Sequence, residues 1–299
     1  MKKTKGICYE YAPLQQLNTW RIGGQARYLY KPENINDLSK FLKNNIDKLP
    51  VVALGLGSNV LLYDGLINAV FILFRNTIKH SEINLDEQTI VVGCGMPCPT
   101  VARKALKSGF NNLNFLAGIP GTIGGALRMN AGAFGGEIWP EVINVTLINY
   151  QGDLIHKTKD EIEYGYRSLK ANFDGYFVEA TLKLSHRPQG SNDSLKILLE
   201  KRKNAQPVEL ASCGSVFKNP QGDFAARLIE SCGLKNYSIG DAVVSSKHAN
   251  FIVNRGKAKF KDVINLMEYV YKQVEKKFAV QLEPEVKIIG ADGEYRSIW

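Results

Sequence analysis

Chemistry in this 299-residue chain would have to be built on two glycine-rich segments and three short polar motifs. Gly55-Leu56-Gly57-Ser58-Asn59 follows one apolar run, Pro50 to Leu54, and precedes another, Val60 to Leu62, which reads as a strand, a glycine loop and a return. Small residues in such a loop let backbone N–H groups approach and cradle a phosphate. The loop is not a dinucleotide-binding Gly-x-Gly-x-x-Gly, because Val60 stands where the third glycine belongs, and no Walker-type Gly-x-x-x-x-Gly-Lys-Ser/Thr occurs anywhere. A nicotinamide-binding Rossmann domain and a P-loop ATPase are therefore disfavoured, and a tight turn between strands is the simplest alternative. The second segment, Gly118-Ile119-Pro120-Gly121-Thr122-Ile123-Gly124-Gly125-Ala126 followed by Asn130-Ala131-Gly132-Ala133-Phe134-Gly135-Gly136, is denser in glycine. Glycine is costly in chain entropy, so this density points to close approach of backbone to backbone or to a flat ligand.

The polar motifs are Tyr164-Gly165-Tyr166-Arg167-Ser168, Cys213-Gly214-Ser215-Val216-Phe217-Lys218-Asn219-Pro220 and Leu282-Glu283-Pro284-Glu285-Val286. Taken singly, Arg167 reads as a surface ion pair, Ser215 as a turn hydroxyl and Glu285 as an exposed strand end. A hydrolase nucleophile is disfavoured at Ser215, since Gly-x-Ser-x-Gly is absent and none of the four histidines (His80, His156, His186, His248) can be identified as its base. The three residues lie far apart, and no spacing rule links them.

Together, Gly55 to Asn59 and Gly118 to Gly125 resemble the paired FAD loops of vanillyl-alcohol-oxidase-like flavoproteins. More narrowly, the chain resembles the UDP-N-acetylenolpyruvoylglucosamine reductase (MurB) family, from Asn18-Thr19-Trp20-Arg21-Ile22-Gly23-Gly24 to Leu282-Glu283-Pro284-Glu285-Val286. The resemblance implies an α+β chain, with a vanillyl-alcohol-oxidase-like FAD-binding fold and a second, smaller α+β substrate-binding domain. It implies non-covalent FAD, with Gly55, Gly57, Ser58 and Asn59 around the pyrophosphate. Gly118, Pro120, Gly121, Thr122, Gly124, Gly125, Asn130, Ala131 and Gly132 would lie along the cofactor toward the isoalloxazine. NADPH would supply hydride, and UDP-N-acetylglucosamine enolpyruvate would be reduced to UDP-N-acetylmuramate for peptidoglycan, on which cell shape and division depend. No separate nicotinamide domain is needed if NADPH and sugar use the same side in turn.

By the same resemblance Arg167 and Glu285 would polarise the substrate and Ser215 would donate a proton. Reducing the enol ether needs a hydride at the terminal carbon and a proton at the carbon bearing the ether oxygen. A preorganised cation such as Arg167 would stabilise the enolate-like charge that builds on the carboxylate, and its planar fork suits that group. Glu285 would help only as a neutral acid, which requires burial or a nearby anion. Serine is a poor acid, so Ser215 would relay a proton to a strongly basic carbanion and be replenished through water. Lys203 and Asn219 would contact the phosphates, and His248, in Ser246-Lys247-His248-Ala249-Asn250, the substrate. Some family members carry an inserted tyrosine-bearing loop; here Pro220-Gln221-Gly222-Asp223-Phe224 passes directly into a predicted helix, which implies the shorter subtype.

Two rival readings remain at this level. An oxygen-using oxidase could share the flavin fold; several such enzymes hold FAD through a histidine, and neither glycine loop contains one. A nucleic-acid-binding protein is supported only by net charge.

These motifs need elements to carry them. Thr89 to Val92 and Val142 to Tyr150 read as strands, the second turning at Gln151-Gly152-Asp153 into a return from Leu154. Phe177 to Leu184 alternates, with Val178, Ala180, Leu182 and Leu184 on one face. Helical spacing covers Thr100 to Leu106, Asp223 to Cys232 and Lys261 to Phe278; in the last, Val263, Leu266, Met267, Val270, Tyr271 and Val274 are core candidates. Ala249 to Val253 and Val286 to Ile289 are short strand candidates. The polar stretch Ser185 to Ser194 is the best linker, which sets expected domains at 1–188 (FAD-binding, two subdomains) and 189–299 (substrate-binding), with about 283–299 returning toward the FAD region.

Composition sets the outer bounds. Apolar residues at 44% and charged residues at 22% suit a folded globular protein. Lys plus Arg exceed Asp plus Glu by 38 to 29, a net +9 that favours anionic partners. The densest basic run, Lys196 to Lys203, lacks the interleaved aromatics of a single-strand binder and reads as a solvated helix face. Five scattered cysteines without Cys-x-x-Cys indicate neither a disulfide framework nor a zinc site, and no metal is expected. The basic start gives no apolar core of a secretory signal, and no window approaches the ~20 apolar residues that span a bilayer. The expectation is a cytoplasmic protein, monomeric or weakly oligomeric, that uses small molecules and neither nucleic acid nor membrane.

Overall fold

The computed structural model describes residues 4–44, 49–170, 174–186 and 192–296, the side chains of 192–194 excepted. Six α-helices are found among them: α1 Ile35–Lys43, α2 Cys98–Lys107, α3 Ile123–Met129, α4 Asn192–Ala205, α5 Ala225–Ser231 and α6 Phe260–Phe278. None is long and apolar enough to cross a membrane. The basic run falls in α4, whose side chains from Lys196 onward are mostly exposed.

The chain divides into two compact units, 1–9 with 29–56 and 71–200, and 10–28 with 57–70 and 201–299. This differs from the expected single cut at 188/189, which itself lies outside the described residues. The reason is strand sharing. Ile7–Pro13, Gln25–Lys31 and Leu66–Leu73 neighbour one another in a sheet completed by Val51–Leu54, and the division falls within the first three strands. A composition scan finds linkers and cannot see a strand that begins in one unit and ends in the other.

The first unit holds a five-stranded antiparallel sheet in the order Leu154–Thr158, Val142–Ile148, Tyr176–Lys183, Thr89–Gly93, Ser81–Asn84. The hairpin across 149–153 forms as its turn residues predict: Asn149 accepts the Gly152 N–H at 3.0 Å through its carbonyl and the Asp153 N–H at 2.7 Å through its side chain. The one-face alternation expected of Phe177 to Leu184 is broken. Pairing slips from Thr146 with Glu179 to Leu147 with Phe177, a bulge at Val178. Phe177 therefore joins the core with Ala180 and Leu182, while Val178 packs with Leu38, Ile72 and Phe74.

In the second unit α6 buries Val263, Leu266, Met267, Val270 and Val274, while Tyr271 only packs against that core. The spacing sets this stripe on one face. Its first turn is satisfied from two sides: Asp64 accepts the Phe260 N–H at 2.7 Å and Asp262 the Lys259 N–H at 2.9 Å. Ala242–Val244 pairs with Ser238–Ile239 and Ile252–Asn254. Lys287–Ile289 lies parallel to Val60–Leu62 and antiparallel to Tyr295–Arg296. The last segment is thus paired with the strand that leaves the first glycine loop.

Candidate active site

Around the first glycine loop, backbone meets backbone. Gly57 has φ +64°, and a Cβ there would lie 2.3 Å from the Leu17 carbonyl oxygen and 2.6 Å from Asn18 Cα, so no side chain fits. Thr19 donates its N–H to the Gly57 carbonyl at 3.0 Å. Asn18, buried, ties its own turn together by donating to Leu14 O at 3.0 Å and Ile22 O at 2.8 Å. Ser58 and Asn59 are half-buried; Asn59 donates to the Glu285 carbonyl at 3.1 Å and accepts from Lys287 N–H at 3.0 Å.

The two glycine segments touch within the first unit: a Cβ on Gly55 would meet the Thr122 hydroxyl at 2.5 Å. Thr122 is buried at the N-terminus of α3, its hydroxyl 3.4 Å from the Gly125 N–H it caps. The loop is anchored from beneath: Cys98 donates to Gly121 O, Ile123 to Met96 O and Gly124 to Cys94 O, each at 2.9 Å. Gly118 packs on Ala133 and Phe134, and Gly124 on Cys94. Pro120 and Gly125 are exposed, Gly124 half-exposed, and a Cβ on Gly125 would meet nothing nearer than the Thr122 hydroxyl at 3.7 Å. Main chain, not side chain, thus forms this surface. A flat group such as FAD fits that description, since it needs close backbone approach.

At the C-terminus of α3, Asn130 takes a left-handed conformation, φ 43° and ψ 54°. Its side chain donates to Glu137 Oε2 at 3.0 Å and Gly165 O at 2.9 Å and accepts from Trp139 N–H at 3.3 Å. The expected cofactor residue Asn130 thereby ties together three parts of its own unit. Ala131 and Gly132 are half-buried, and a Cβ on Gly132 would meet Gly136 O at 2.4 Å.

Arg167 stands at the tip of the hairpin Glu163–Gly165 and Ser168–Lys170, with φ 48°, a strained value for a non-glycine residue. Its guanidinium donates to Asn130 O at 3.2 Å and Gly132 O at 2.9 Å and lies 3.5 Å from Glu137 Oε1.

In the second unit Ser215 and Glu285 come together, although 70 positions separate them. Val216 O accepts Glu285 N–H at 2.8 Å, Phe217 bridges Pro284, and Lys218 N–H donates to Glu283 O at 2.8 Å. Ser215 thus sits one residue from the partner of Glu285, and both are half-buried. The other edge of the 216–217 segment is held by Asn250, buried, whose backbone accepts Val216 N–H at 2.8 Å. Its side chain accepts Phe217 N–H at 3.0 Å and donates to Phe217 O at 2.8 Å. Cys213 is buried, and its thiol is pushed up by burial and, second, by the nearby Glu285 carboxylate. It is a small core residue and not a nucleophile.

The remaining expected contacts are more dispersed. Lys203 is exposed and pairs with Glu209 at 3.0 Å. Asn219 is exposed, its side-chain oxygen accepting the N–H of Ala225, the first residue of α5, at 3.1 Å. His248 packs edge-on against Phe251, and its Nδ1 is buried with no hydrogen-bond partner among the described residues. Burial, with Lys235 nearby, holds its pKa below the ordinary histidine value. The residues 220–224 lead straight into α5, as the shorter subtype requires.

Comparison with known proteins decides the family. Residues 26–158 match the FAD binding domain family, and 206–289 match the C-terminal domain of UDP-N-acetylenolpyruvoylglucosamine reductase. A UDP-N-acetylenolpyruvoylglucosamine reductase of Legionella pneumophila (strain Corby) is 45% identical over 292 residues, covering 96% of this chain and 94% of the relative. The chain belongs to the UDP-N-acetylenolpyruvoylglucosamine reductase (MurB) family. Another member, from Coxiella burnetii (strain Dugway 5J108-111), is 42% identical over 297 residues, 93% of this chain and 94% of its own. A crystal structure of MurB from Thermus caldophilus superimposes with a TM-score of 0.76 at 31% identity, covering 95% of this chain and 98% of that one. The MurB pattern was legible in the glycine loops; Asn250, Asn18 and Glu137 were not singled out. Asn250 interrupts the otherwise apolar strand candidate Ala249 to Val253 and Glu137 is the one acid directly after a glycine pair, Gly135-Gly136, which are the signals that could have found them.

Proposed function

We propose that this protein is an FAD-dependent reductase that uses NADPH to reduce UDP-N-acetylglucosamine enolpyruvate to UDP-N-acetylmuramate, a step of peptidoglycan precursor synthesis. Whole-length kinship with named reductases of this activity carries the reading. FAD, when bound, supplies the hydride that it has received from NADPH. The glycine surfaces at Gly55–Asn59 and Gly118–Gly125 would hold it by letting main chain approach closely where a side chain would stand. Segment 26–158 is the cofactor region and 206–289 the sugar-nucleotide region.

The chain's own residues handle charge and proton. When hydride adds to the terminal carbon of the enol ether, an electron pair moves onto the carbon bearing the ether oxygen and into its carboxylate. Arg167 stabilises that charge more than it stabilises the ground state, because its guanidinium is already fixed. Ser215 delivers a proton to the ether-bearing carbon, and Glu285, taking up a proton once the substrate carboxylate lies beside it, donates a hydrogen bond toward that carboxylate. The pairing of Val216 with Glu285 supports this, since it keeps proton donor and acid in fixed register. Lys203, Asn219 and His248 bind the nucleotide end. A neutral His248 offers a hydrogen bond there and not a charge.

The test is to reduce the purified holoenzyme with NADPH under anaerobic conditions and add the enolpyruvyl sugar. Prompt return of the oxidised flavin absorbance is the expected result. A flavin that bleaches and returns only with oxygen would make the protein an oxidase, and absence of a flavin band after reconstitution with FAD would exclude both.

A further inference from the structure

Arg167 cannot hold its place by backbone geometry alone. It sits at φ 48°, and a residue so strained persists only where its surroundings over-determine it. Two of the groups that receive its guanidinium, Asn130 O and Gly132 O, are neutral carbonyls. Another is a carboxylate: Glu137 Oε1 lies 3.5 Å from Nη1. The other oxygen of Glu137 accepts from Asn130 Nδ2 at 3.0 Å, and the second proton of that amide goes to Gly165 O at 2.9 Å, two residues before Arg167. One carboxylate therefore braces both the guanidinium and the hairpin that carries it. Side-chain exposures of 19% for Arg167 and 35% for Glu137 place the pair between surface and core, where water screens it only in part. Gly132 is crowded by Gly136 O and the Glu137 side chain, so the Gly132–Ala133 and Gly136–Glu137 strands close together with Glu137 facing Arg167.

We infer that Glu137 is the positioning residue for Arg167: its carboxylate bridges the Arg167 guanidinium and the Asn130 amide and fixes the cation where the substrate carboxylate develops charge. This rests on the role proposed above for Arg167. Glu137 touches neither substrate nor cofactor in this scheme and acts on one half-reaction only. Flavin reduction by NADPH involves no carboxylate to be polarised; reoxidation by the enolpyruvyl sugar does.

The experiment is anaerobic stopped-flow on the holoenzyme with wild type, Glu137→Ala, Glu137→Gln, Arg167→Ala and the Glu137→Ala/Arg167→Ala double variant. Wild type must first be reoxidised by the sugar; if it is not, the proposed function fails, and this inference fails with it. Given that, Glu137→Ala should keep its flavin spectrum and its rate of reduction by NADPH, while reoxidation slows by about 10–100-fold, the scale of a misplaced catalytic group. Glu137→Gln keeps an acceptor for Asn130 without the charge and should fall between the two; it also serves if the alanine variant fails to fold. In the Arg167→Ala background, Glu137→Ala should add nothing. Wild-type reoxidation in both Glu137 variants, equal slowing of both half-reactions, or full additivity in the double variant would each overturn the assignment.

Discussion

In the first unit Arg167 is held by side chains: a strained hairpin tip, one asparagine amide and one carboxylate fix the guanidinium against two carbonyls. In the second unit Ser215 is held by main chain, with 216–218 paired to 283–286 on one edge and clasped by Asn250 on the other. Main-chain pairing tolerates a change of side chain next to it. A side-chain brace does not, since each member supports the next. The two regions should therefore fail differently under substitution: Arg167 through its neighbours, Ser215 only through its own hydroxyl or through the clasp.

The largest expected effect tests the second region at its chemistry. Ser215→Ala should slow reoxidation of the reduced flavin by the enolpyruvyl sugar by about 10²–10⁴-fold, the range for loss of a positioned acid, with reduction by NADPH intact. An unchanged rate would remove Ser215 as proton donor. Next, Arg167→Lys should cost about 10²-fold in the same half-reaction although charge is conserved, because an ammonium cannot satisfy two carbonyls and a carboxylate in one plane. If lysine functions as well as arginine, only charge matters and the brace is irrelevant.

Asn250→Ala breaks the clasp by leaving the buried Phe217 N–H and C=O without their side-chain partner. We expect a loss of about 2–4 kcal/mol in chemical denaturation, from the two side-chain hydrogen bonds withdrawn from buried main chain. A near-neutral result would mean that the 283–286 pairing alone holds Ser215 in place.

The smallest effect is a pH dependence. His248 has a folded pKa held below its ordinary value by burial and by Lys235, with Glu230 acting in the opposite direction. The unfolded chain therefore takes up its proton first as the solution is acidified. The contribution of His248 to stability is present above the ordinary histidine range, near pH 6.5, and is lost as pH falls below it toward the folded pKa. Denaturation between about pH 7 and about pH 5 should show a shallower loss in His248→Gln than in wild type. Identical slopes would show that His248 does not report on folding.

Much of the architecture was legible because it is locally encoded. The stripe on α6, the hairpin at 149–153 and the strand entering Gly55 follow from side-chain period and turn chemistry within a dozen residues. The departures have local causes that the pattern hides. The bulge at Val178 redirects one residue of an otherwise regular alternation, and the strands shared by the two units defeat any single-cut boundary.

For the site, the chain by itself determined which groups are available: two glycine-rich segments, an arginine, a serine and a glutamate in motifs whose combination marks the family. It also determined that glycine must stand at position 57, although the reason, a carbonyl 2.3 Å from where a Cβ would sit, is visible only in three dimensions. Tertiary structure alone decided that Ser215 lies beside Glu285, that Asn250 clasps the 216–217 segment next to Ser215, and that Glu137 faces Arg167. Backbone pairing depends on register between distant segments, and an ion pair depends on which loops converge. Neither leaves a period in the sequence, so both are fixed only when the cores of the two units have packed.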